Sequence, residues 1–126
     1  MEDFDNKLVN IKFGENLIRI IPKNNVKFDK DNLDESLDYL DVAFREYNVI
    51  FENDNNKTIE IHFDTTNISA FESYKFSKQL EPFFKQRKEF TERFIVKTYI
   101  ISNNMFIRAI INSILKFCNL SRPILI

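Results

Sequence analysis

The apolar residues of this chain change their spacing several times, and that alternation limits the fold more than any other feature of the sequence. Ile59, Ile61 and Phe63 alternate with Glu60 and His62, the two-residue repeat of a strand with one buried face. Phe76, Leu80, Phe83, Phe90 and Phe94 instead follow helical spacing, as do Leu33, Leu37, Leu40, Phe44 and Tyr47 before them. At the N-terminal end Val9, Ile11 and Phe13 share one face of a strand that turns at Gly14, the only glycine, into Leu17 to Ile21. Pro22 should end that second strand, because it has no N–H to give to a ladder. Ile95 to Ile101 is β-branched and aromatic, Met105 to Cys118 reads as a third helix, and the closing RPILI reads as a short strand.

Strands separated by helices need crossover connections, so the sheet should be largely parallel, with an antiparallel element from the first hairpin. We therefore expect an α/β fold: a mixed sheet of about four to five strands with three helices, in one domain spanning residues 1–126. Three local details follow. Asn32 with Glu35 three residues on suits a capping-box start for the first helix. Asn48 to Phe51 reads as an extended run before a turn-rich Asn and Asp cluster. Pro82 removes one donor, so the second helix should kink or restart after Gln79.

Composition removes several function classes. With 44% hydrophobic and 29% charged residues the mixture is that of a folded domain, and 14 Phe supply bulky core material. Eighteen basic against 19 acidic side chains leave a net charge of -1, which provides no basic field for phosphates, so nucleic acid is not an expected partner. Met105 to Phe117, the most apolar region, is interrupted by Arg108, Asn112 and Lys116 and falls short of the ~18 apolar residues a membrane span needs. The lone Cys118 closes no intrachain disulfide and no leader pattern precedes the first strand, so the expected location is cytoplasmic.

Chemistry-bearing groups are few. A single glycine excludes the phosphate-cradling loops, which need several close backbone approaches. One His and one Cys cannot assemble a usual zinc ligand set; His62 reads as a strand residue and Cys118 as packing. Asp31, Asp34, Glu35, Asp38 and Asp41 fall mostly opposite the leucine stripe and read as a solvated helix face. Lys85, Arg87, Lys88 and Arg93 are balanced by Glu81, Glu89 and Glu92. No catalytic residue, cofactor or metal is expected.

What remains is the start of the second helix. Ser69 followed by Glu72 matches a capping box, which places Ser73 in the first turn, where a negative charge is favoured. Asp64 at a strand end, Ile68 and Phe71 at spaced apolar positions, and the pair Glu72-Ser73 opening a helix resemble the STAS family (sulfate transporter and anti-sigma antagonist). The later strand, helix and short strand are similar too, so the resemblance runs from about Ile59 to the C-terminal end, together with the helix order before it. Glu stands where the family has Asp, Lys75 where it usually has Gly, and the helix that follows the last strand is missing.

The resemblance implies a non-catalytic regulatory module that binds a protein partner, with Ser73 as the candidate phosphorylation site and Glu72 on the docking face. It implies an exposed Ser73. The helix from Met105 adds a second candidate surface, because Phe106, Ile110, Ile114 and Phe117 belong to an apolar area too broad for one sheet to cover. The competing expectations are a small structural subunit docked permanently in a larger assembly, or oligomerised, through that C-terminal helix, and a minor enzyme or small-ligand carrier, which needs a pocket whose polar groups the sequence does not name.

Overall fold

A computed structural model describes residues 2–23, 30–53, 57–102, 104–106, 109 and 123–125. The first strands, β1 (Phe4–Asp5) and β2 (Val9–Phe13), are antiparallel, and β2 pairs with β3 (Leu17–Pro22) across the expected hairpin. The Gly14 N–H donates to the Leu17 carbonyl at 2.8 Å to close the turn. Then come α1 (Lys30–Phe51), β4 (Ile59–Asp64), α2 (Ala70–Gln86), α3 (Lys88–Phe94), β5 (Ile95–Ile101) and β6 (Pro123–Leu125).

The strands lie side by side in sequence order, β1-β2-β3-β4-β5-β6, and every pairing from β3 onward is parallel. The mixed α/β architecture is thus the expected one, with the two-residue β1 as an added edge. A right-handed crossover, the rule between parallel strands of one sheet, puts the helices that link β3 to β4 and β4 to β5 on one face. Ile18, Ile20, Ile61, Phe63 and Ile100 point to that face and share one core with Leu40, Phe44, Phe76, Phe84 and Phe94 from α1, α2 and α3. The opposite face carries Arg19, Glu60, His62, Lys97 and Tyr99, all half-buried or exposed.

Three local expectations need correction. Helix α1 begins two residues before Asn32, whose carbonyl instead accepts from the Ser36 hydroxyl at 2.7 Å and from Asn6 Nδ2 at 3.0 Å. Asn6 also accepts the Leu8 and Val9 N–H groups on its Oδ1, which ties the β1–β2 turn to the helix. Residues 48–51 are helical, not extended: Phe51 is buried one turn beyond Tyr47, their rings 5.6 Å apart, so core packing overrides β propensity.

Nor does helix α2 restart after Gln79; it continues through Pro82. That residue faces solvent, where water can satisfy the freed carbonyl, while Leu80, Phe83 and Phe84 on the inner side are all buried. Glu81 bridges Lys78 at 3.3 Å and Lys85 at 2.7 Å across the proline. The break comes at Arg87, with φ -113° and ψ 35°. Its guanidinium bonds to Asp41 on α1 at 2.8 Å and to the Phe83 carbonyl at 3.1 Å. Of the third helix expected from Met105 to Cys118, Met105, Phe106 and Ala109 are described and are helical. Ile110, Ile114, Phe117 and Cys118 lie outside the described residues.

Among the described residues, no helix is long and apolar enough to cross a membrane. Phe84 is fully buried, its ring 6.2 Å from Phe63 on the sheet and 6.3 Å from Phe44 on α1. Phe84→Ala should lower stability by about 3–5 kcal/mol. Urea unfolding would measure this, and a loss below about 1 kcal/mol would show that the site collapses around the missing ring.

Candidate functional site

The β4–α2 connection is built on Asp64. Burial alone would raise the pKa of its carboxyl, but the Arg19 guanidinium at 2.6 Å, with the Thr66 hydroxyl and N–H, holds it below the usual carboxylate value. Thr65 anchors the same loop to β5, donating from its N–H and its hydroxyl to the Ile101 carbonyl at 2.9 and 3.0 Å. The loops that leave the carboxyl ends of β4 and β5 are thereby joined.

The capping pair forms at the start of α2, although the Glu72 carboxylate takes the Ser69 hydroxyl and not the cap N–H. Ser69 is the N-cap; its Oγ accepts the Glu72 N–H at 3.2 Å and donates to Glu72 Oε1 at 3.1 Å. Glu72 is half-buried by this role. Ser73 does not lie exposed beside it. Its position falls in the helical phase of Phe76, Ser77 and Leu80, which turns it into the core at 1% exposure. Its hydroxyl has no hydrogen-bond partner among the described residues. A phosphate on Ser73 requires that turn to open, because a dianion on a side chain so buried would lose its hydration.

The exposed residues of that turn are its neighbours. Phe71 is 66% exposed with the Lys75 ammonium 4.5 Å from its ring centre, and Tyr74 is exposed as well. Of the two spaced apolar positions, Ile68 fills the core and Phe71 does not. After β5, Asn104 accepts the Phe106 N–H on its Oδ1 at 2.8 Å, holding Met105 and Phe106 at 82% and 77% exposure. Phe71, Tyr74, Met105 and Phe106 therefore follow the joined carboxyl ends of two adjacent parallel strands. Sequence reasoning included Glu72, Ser73 and Phe106 but missed Tyr74 and Arg19. The exposed phase of α2 could have identified Tyr74; a lone arginine in a strand gives no such signal.

On the outer sheet face His62 packs edge-on against Tyr99, ring centres 4.7 Å apart, with its Nε2 3.8 Å from Glu60. Burial, aided by the Arg19 charge, lowers its pKa, although Glu60 opposes this. No cluster of three or more His, Cys, Asp or Glu able to hold a metal occurs among the described residues. No protein-family model, curated protein or solved structure matches this chain.

Ser69→Ala should cost about 1 kcal/mol by thermal or urea unfolding, whereas Ser73→Asp, which buries an unpaired charge, should cost about 3 kcal/mol or more. Equal stabilities for wild type and Ser73→Asp would mean that the side chain escapes to solvent. The Asp64–Arg19 pair gives a pH signature. Because the folded carboxyl has the lower pKa, its stabilisation is complete above the unfolded value of about 4 and is lost as the pH falls through the folded one. The stability gap between wild type and Arg19→Gln should close on acidification; a gap constant from pH 6 to about pH 2 would dissociate Arg19 from Asp64.

Proposed function

We propose that this chain is a non-catalytic protein-interaction module that docks a partner on the apolar rim formed by Phe71, Tyr74, Met105 and Phe106. The observation that carries the proposal is the exposure of Phe71, Met105 and Phe106 on segments that leave adjacent strand ends. Aromatic residues and Met are enriched where proteins meet, and the carboxyl edge of an open α/β sheet is the usual binding edge. The resemblance to STAS domains favours the same helix start as the docking element. Glu72 then borders the surface as a polar neighbour of Phe71. Regulation by a phosphate on Ser73 would act by opening the first turn of α2, not by adding charge to an intact docking face.

The proposal is tested by affinity purification from the native source with wild type and with Phe71→Glu/Phe106→Glu. Both positions are exposed, so the melting temperature should be unchanged, while a partner retained by wild type should be lost from the variant. Equal retention of the same partner by both would overturn the rim as the docking surface. A partner held through gel filtration would indicate a permanent subunit, and one that exchanges freely would indicate a regulatory module.

A further inference from the structure

On the helical side, away from the sheet's outer face, α1 and the α2–α3 joint border an open cleft of about 680 Å³. Sites for small molecules commonly occupy roughly 300–1,000 Å³. Four cations, Arg45, Arg87, Lys88 and Arg93, line it against two acids, Asp41 and Glu89, in a chain whose net charge is -1. Asp41 is shared by Arg45 at 2.7 Å and Arg87 at 2.8 Å. Arg93 has no carboxylate partner among the described residues; its guanidinium lies 4.8 Å from the centre of the Phe94 ring. Lys88 reaches only Glu92, at 3.7 Å. Of the four cations, Arg93 is thus without a carboxylate partner among the described residues, and the exposed Lys88 has a longer pairing than Arg45 or Arg87.

The floor is aromatic. Phe90 stacks on the buried Phe44 with ring centres 4.3 Å apart and planes 14° from parallel, and it is itself only half-buried while lining the cleft. A fixed ring beside an unpaired guanidinium and a loosely paired ammonium suits a ligand that joins a flat apolar part to an anion. We propose that this cleft binds a small planar aromatic anion, its ring against Phe90 and its phosphate or carboxylate held by Arg93 and Lys88. The guanidinium offers a forked pair of donors to such a headgroup, and the ammonium adds a mobile charge. Glu89 selects against ligands with a second anionic group on its side of the cleft. The site is separate from the apolar rim and stands whether or not the rim binds a protein.

Isothermal titration of the full chain with adenosine monophosphate, 2-naphthoate, adenosine and inorganic phosphate tests this. At least one aromatic anion should bind about tenfold or more tightly than adenosine and than phosphate, since each of these lacks half of the recognised chemistry. Arg93→Gln/Lys88→Gln should weaken that binding about tenfold at unchanged melting temperature, while Lys12→Gln on the outer sheet face leaves it unaltered. Binding no tighter than that of the neutral ring, or undiminished in the double variant, would overturn the proposal.

Discussion

The aromatic contact between α1 and the broken second helix is the constraint on which the remaining architecture depends. Phe44 stacks on Phe90 of α3 and touches Phe83 and Phe84 of α2, at 5.5 and 6.3 Å between ring centres, so one side chain joins three helices. Phe84 passes the contact to Phe63 of the sheet, and Phe94 passes it to Phe51 at the end of α1. Rings this large fill space that smaller side chains would leave open, and their edge-on and tilted pairings fix orientation as well as volume. The turn at Arg87 follows from this. For Phe83, Phe84, Phe90 and Phe94 all to reach the layer set by Phe44, the chain changes direction between them, and the bond from Arg87 to Asp41 secures that change to α1.

The outer sheet face obeys a different rule. It is held by polar pairs, Arg19 with Asp64 and Lys23 with Asp5, and by the His62–Tyr99 contact. Exposed pairs of this sort add little stability singly. The half-buried Arg19–Asp64 pair matters through geometry: Asp64 also accepts the Thr66 hydroxyl and N–H, so the pair secures the turn that leads from β4 toward α2.

Strand placement was legible in the sequence because a period of two is hard to produce otherwise, as in Val9 to Phe13 and Ile59 to Asp64, and because Ile95 to Ile101 is β-branched and aromatic. Residues 48–51 were not, because β-branched and aromatic side chains suit a strand locally, and only the distant rings of the core make a further helical turn worthwhile. Pro82 misled for a related reason, since its cost depends on whether its carbonyl partner faces water. Ser73 was legible in principle: its spacing to Phe76 and Leu80 places it on the inner stripe, but its nearness to the cap suggested the surface. The Arg19–Asp64 pair and the cleft beside Phe90 depend on register and on helix crossings, which no short window contains.

The strictly sequential strand order has a consequence for how the molecule is made. Each described strand lies beside the one synthesised immediately before it, so no strand waits for a later segment before it can add to the growing sheet. A chain emerging from the ribosome can extend the sheet one strand at a time, with α1 and then α2 and α3 able to cover its inner face before the next strand arrives. Until it pairs, the newest strand presents an open edge. Synthesis therefore moves one unprotected edge steadily along the molecule, from β2 toward β6.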